Sequence, residues 1–148
     1  MYHYTMTGLD NIYLSNGYTI EQTPYGEAVS IEGAAELDRA IALSLIRQPH
    51  PLGAKEFRFL RQQTGMSQSD TGAFIGADRQ TVARWEKQET PLPQYADSLI
   101  RLLYSGYHAQ DITTISLIQT LNALDKAKNS RIILNRQQGK WQETPETA

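Results

Sequence analysis

The sequence predicts an α+β protein: a small N-terminal β-meander plus helix, followed by an all-α segment of five helices. Three observations carry this. Short runs rich in Tyr, Ile, Val and Thr alternate with turn signals before residue 32. Apolar residues then recur at spacings of three and four. Glycines and capping residues punctuate the stretch 65–78 at intervals suited to short helices.

The β segments are Asn11–Leu14, Gly17–Thr23 and Gly26–Ile31, separated by Ser15-Asn16-Gly17 and Pro24-Tyr25-Gly26. Consecutive strands joined by tight turns read as a meander. Gly33–Arg47 follows, with Ala34, Leu37, Ile41 and Leu45 on one helical stripe. Pro49-His50-Pro51 ends that helix and makes a stiff linker. Residues 1–51 are therefore expected to form a β-rich N-terminal module.

Residues 52–106 read as helices throughout. Phe57 and Leu60 supply the buried stripe of the first, and Gly65 is placed to stop it in the left-handed conformation. Ser67-Gln68-Ser69-Asp70 starts the second, with a hydroxyl at the cap and an acid three residues on. Gly76 ends it. Asp78 caps a third helix from Arg79 to about Lys87. After Thr90-Pro91-Leu92-Pro93 a fourth runs from Gln94 to about Tyr104, with Ala96, Leu99 and Leu103 facing inward. Residues 107–148 are expected to hold a C-terminal helix over 111–125, a short strand at Arg131–Leu134 and a flexible tail from Gln142. The face of the 111–125 helix is too apolar for a lone surface helix, which makes it the expected dimerisation element.

Charge is distributed unevenly. The net charge is −2. Residues 1–53 hold two Arg and six acids, residues 54–106 hold seven Lys/Arg and six acids, and residues 107–148 hold five basic groups and four acids. The acid excess sits in the N-terminal third. The middle is nearly neutral, so phosphate neutralisation there is modest. The absence of cysteine excludes disulfides and thiolate metal sites and suits a reducing cytoplasm. The start, Met1-Tyr2-His3-Tyr4, lacks the basic and apolar regions of a secretory signal, and no apolar run reaches membrane-spanning length. A cytoplasmic chain is expected.

Two helices crossing steeply need small residues at the crossing and a glycine in the turn. Gly72, Ala73 and Gly76 meet that need, and Val82 is placed to plug back onto Leu60, Phe74 and Ile75. The third helix then offers Arg79, Gln80, Thr81, Ala83 and Arg84 to solvent. Arg pairs with guanine, Gln with adenine, and a Thr or Ala methyl meets the thymine methyl in a major groove. Ser67, Gln68 and Lys87 complete the expected DNA-binding set.

The linked segments Gly65-Met66-Ser67-Gln68, Phe74-Ile75-Gly76, Arg79-Gln80-Thr81-Val82 and Arg84-Trp85-Glu86 resemble the XRE (Cro/C1-type) repressor helix-turn-helix. The resemblance covers residues 54–104 and implies a lambda-repressor-like fold for the all-α domain. It implies that Gln68 bonds a backbone phosphate and that Arg79, Gln80 and Arg84 read bases. That family carries Leu at the place of Thr71 and Ala at the place of Gly72; Gly costs a helix about 1 kcal/mol relative to Ala. A looser resemblance, in the β-rich module before an Arg-Trp-Glu helix-turn-helix, is to MqsA/YgiT-type antitoxins. Their N-terminal zinc site needs cysteine pairs that this chain lacks, so no zinc is implied.

The function expected from these readings is sequence-specific binding of double-stranded DNA as a homodimer. The chain would be an autorepressor of a palindromic operator and the antitoxin of a type II toxin–antitoxin pair. The alternative is an inhibitory protein that neutralises a cognate toxin through residues 1–50. Trp85 is read as packing in preference to base stacking. Lys55 and Arg101 are open between phosphate contacts and solvated charges, and the tyrosines at 2, 4, 13, 18 and 25 between a small core and a protein-binding face. The sequence holds no nucleophile elbow, phosphate-binding glycine loop or H-E-x-x-H motif. Neither enzyme activity nor a cofactor is expected. His3, His50 and His108 are too far apart in sequence to suggest a metal site.

Overall fold

The computed structural model describes residues 1–108 and 133–144. The fold is α+β, with five helices and three two-stranded antiparallel sheets among the described residues. The order is β1 (Tyr2–His3), β2 (Tyr13–Leu14), β3 (Tyr18–Thr23), β4 (Gly26–Ile31), α1 (Ala34–Arg47), α2 (Ala54–Gln63), α3 (Gln68–Ile75), α4 (Arg79–Glu86), α5 (Gln94–His108), β5 (Ile133–Gln137) and β6 (Lys140–Thr144).

The expected N-terminal meander is corrected. β2 pairs with β1, in register Tyr2↔Leu14, and not with β3. The Tyr4 N–H bond to the Ile12 carbonyl, 2.9 Å, continues that pairing and draws the first residues of the chain into it. β3 and β4 form a separate hairpin, Tyr18↔Ile31 to Thr23↔Gly26. Its tip is the predicted Pro24-Tyr25 turn, closed by the Thr23 hydroxyl, which donates to the Gly26 carbonyl at 2.6 Å.

α1 buries Ile41, Ala42 and Leu45. They belong to the same apolar cluster as Tyr4, Leu9, Phe57, Leu60, Val82, Trp85, Ile100 and Leu103. One core therefore joins the first strands and α1 to the helices that follow. Full burial of a side chain such as Phe57 stabilises by about 1.5–3 kcal/mol. The stretch between α1 and α2 is held by α5. The Arg101 guanidinium donates to the carbonyls of Ile46 (3.1 Å), Gln48 (2.8 Å) and His50 (2.9 Å). Asp97, ion-paired to Arg101 at 2.7 Å, accepts the Leu52 N–H at 2.6 Å. Arg101 is thus a structural clamp. Lys55 reaches back to Asp10 at 2.8 Å, a pair exposed at the surface, and this holds the Asp10 carboxyl below its ordinary value.

Four helices, α2–α5, are described between residues 54 and 108, and α5 extends beyond the expected Tyr104 to His108. The helix expected over 111–125 lies outside the described residues. The strand expected at Arg131–Leu134 is described from Ile133 and extends to Gln137. The tail read as irregular from Gln142 is corrected in part, because β6 carries the chain to Thr144. Gln138 and Gly139, with φ of 52° and 75°, make the two-residue turn that pairs the strands. No described helix is long and apolar enough to cross a membrane.

Candidate nucleic-acid interface

The site is built on α3, a three-residue turn and α4. The Ser67 hydroxyl accepts the Asp70 N–H at 3.0 Å and starts α3. Gly76, at φ 89°, ends it. The N–H groups of Gly76 and Ala77 both return to the Gly72 carbonyl, at 2.7 and 2.9 Å. Those two hydrogen bonds accepted by one oxygen fold the chain sharply back. Gly72 is what permits it: a Cβ there would fall against the Ala77 carbonyl oxygen, deep inside van der Waals contact, and 3.4 Å from Val82 Cγ2. The glycine that looks like a weak helix residue in the sequence is a requirement of the crossing.

Asp78 then caps α4, its carboxylate accepting the Thr81 N–H at 2.7 Å. The Thr81 side chain and backbone hydrogen bonds, with Arg84 nearby, hold the Asp78 carboxyl below its ordinary value. α4 buries Val82 and Trp85. Trp85 meets Phe57 edge-on at 5.9 Å and Tyr95 at 6.2 Å, so its ring belongs to the core and cannot stack on a base. α4 closes in a Schellman arrangement, Glu89 N–H to the Arg84 carbonyl at 3.0 Å and Gln88 N–H to the Trp85 carbonyl at 3.2 Å. Gln88 takes the left-handed position at φ 62°.

At 100° per residue, Arg79, Ala83, Lys87, Gln80 and Arg84 fall on one arc of about 140°, opposite Val82 and Trp85. Arg79, Gln80, Arg84 and Lys87 are exposed there and Ala83 is half-buried. Thr81 lies outside this arc, between Arg84 and the buried Trp85. It is half-buried, and its backbone N–H serves the Asp78 cap. Ser67 is exposed at the start of α3.

Gln68 is tied to α4 by a network that the sequence reading missed. Arg61 of α2 grips Glu86 with two bonds, Nε to Oε2 at 2.6 Å and Nη2 to Oε1 at 2.8 Å, and donates a third to the Met66 carbonyl at 3.0 Å. The Glu86 side chain is only 4 % exposed. Its Oε1 also accepts Gln68 Nε2 at 3.2 Å. One buried carboxylate therefore joins α2, the first residue of α3 and the last of α4. An amide nitrogen carries two N–H groups, so Gln68 retains a second donor beyond the one Glu86 receives. Arg61 and Glu86 lie far apart in the chain, and no local spacing signals their pairing.

The interface thus presents three cations and two amides on a rigid frame, donors suited to phosphates and base edges. Among the described residues, no group of three or more His, Cys, Asp or Glu side chains converges as a metal-ligand set. No family model matches the chain, and no curated protein or solved structure matches it.

Proposed function

We propose that this protein binds double-stranded DNA by sequence, with α4 in the major groove, and represses transcription as a homodimer. The observation that carries the reading is the arc of Arg79, Gln80, Arg84 and Lys87, exposed together on a helix whose other face is locked into the core. Arg79 and Gln80 stand at the N-terminal end, which enters such a groove deepest. Gln68, beside the arc, and Lys87, at its C-terminal end, suit phosphates. The near-neutral charge of residues 54–106 makes one copy a weak binder. Two copies on half-sites one helical turn apart supply the missing affinity.

Selection of bound duplexes from a randomised pool yields the preferred site, and fluorescence anisotropy at fixed salt gives the affinities. Arg79→Ala should lose about 1–3 kcal/mol on the selected site and little on random duplex. Equal affinities of the variant and the parent chain on both duplexes would remove α4 as the reading helix.

A further inference from the structure

The β3–β4 hairpin lies outside the α3–α4 unit that carries the proposed DNA reading. Its strands pair with each other and, among the described residues, with no third strand. A lone two-stranded ribbon is marginal in water, and its edges carry backbone groups that template another strand. The bond from the Glu32 N–H to the Gly17 carbonyl, 2.9 Å, sets the phase of the ladder. Residues 19, 21 and 23 then bond across to β4, and the N–H and C=O groups of Ile20 and Gln22 point away from it.

The side chains of β3 add a pattern to that open edge. Tyr18, opposite Ile31, joins the apolar face where its ring lies 5.3 Å from that of Tyr2. Ile20, opposite Val29, carries the same face outward and is 46 % exposed. Glu21 stands on the other face, exposed. Six acids and no Lys or Arg precede Arg39 in the chain. Of these acids, Asp10 is ion-paired, to Lys55.

The geometry points to the free edge of β3 as a docking strand for an extended, basic segment of a protein partner that alternates apolar side chains with Lys or Arg. Such a segment bonds the backbone of Ile20 and Gln22, places an apolar side chain beside Ile20 and a cation beside Glu21. A second copy is a poorer occupant, because β3 holds no Lys or Arg to set beside Glu21 of its partner. Nucleic acid is repelled by the same charge. No α4 residue enters, so this inference stands apart from the DNA reading.

The test is a titration of the isotope-labelled full chain with two synthetic peptides, one alternating Lys and Val, the other Glu and Val. The expected result is amide shifts and slowed hydrogen exchange at Ile20 and Gln22. The Lys–Val peptide should bind at least about tenfold more tightly than the Glu–Val peptide. Glu21→Lys should abolish that preference, and Ile20→Thr, which keeps a β-branched residue in the strand, should weaken binding several-fold. The β3–β4 amide signals report whether the hairpin is intact in each variant, and Arg79→Ala should bind the peptide as the parent chain does. Absence of saturable binding, equal affinity for both peptides, or shifts centred outside β3 would overturn the inference. So would protection of Ile20 and Gln22 that grows with protein concentration and without peptide, which assigns the edge to a second copy.

Discussion

Replacing Gly72 with Ala sets helix propensity against tertiary packing, and the two predict opposite signs. Propensity alone makes Gly72→Ala stabilising by about 1 kcal/mol. The added Cβ meets the Ala77 carbonyl oxygen, which is backbone and cannot swing aside as a side chain does. It also comes into van der Waals contact with Val82, which is fully buried and leaves it little room to move aside. Overpacking of this kind costs about 1–3 kcal/mol. Moving Ala77 away loosens the bonds that Gly76 and Ala77 make to the Gly72 carbonyl, each worth about 1 kcal/mol. The net expectation is a loss of about 1–3 kcal/mol. Urea unfolding followed by far-UV circular dichroism measures it, and the midpoint should fall by about 1 M. Ala73→Gly, at an exposed position of the same helix, calibrates the propensity term and should lose about 1 kcal/mol. A Gly72→Ala midpoint equal to or above that of the parent chain would refute the requirement for glycine at the crossing.

Thr71 is fully buried and, among the described residues, its hydroxyl finds no hydrogen-bond partner. Thr71→Val keeps the shape and removes the stranded polar group, so it should raise stability by about 1 kcal/mol in the same unfolding assay. Glu86→Ala strands the Arg61 guanidinium in the core and frees Gln68, and should cost about 3–5 kcal/mol. The double replacement Arg61→Met, Glu86→Leu should recover much of that loss. Asp78→Ala removes the α4 cap and should lower the thermal midpoint at neutral pH. The folded-state pKa of Asp78 is depressed, so its contribution is present above the unfolded carboxylate pKa and is lost as pH falls through the lower folded value. The gap between variant and parent midpoints should therefore close in strong acid, and a gap that persists there would assign the loss to something other than the charge.

Local chemistry made several elements legible in the sequence. The Ser67 and Asp78 caps, the Gly65 and Gly76 stops and the Pro24-Tyr25 turn each act through near neighbours, and the structure places each where the residues suggest. The exposure of Arg79, Gln80, Arg84 and Lys87 follows from helical periodicity once Val82 and Trp85 face the core. Tertiary structure alone decided what depends on distant partners. β2 joins β1 and not β3, because strand pairing is a long-range choice that turn signals do not encode. Arg101 clamps the segment between α1 and α2, and Lys55 meets Asp10; a cation in a sequence does not name its partner. Glu86 gathers Arg61 and Gln68 from two other helical segments. Gly72 shows the difference most plainly. Its own residue type predicts a weak point in α3, and only the position of the Ala77 carbonyl, set by the folded turn, shows why nothing larger fits.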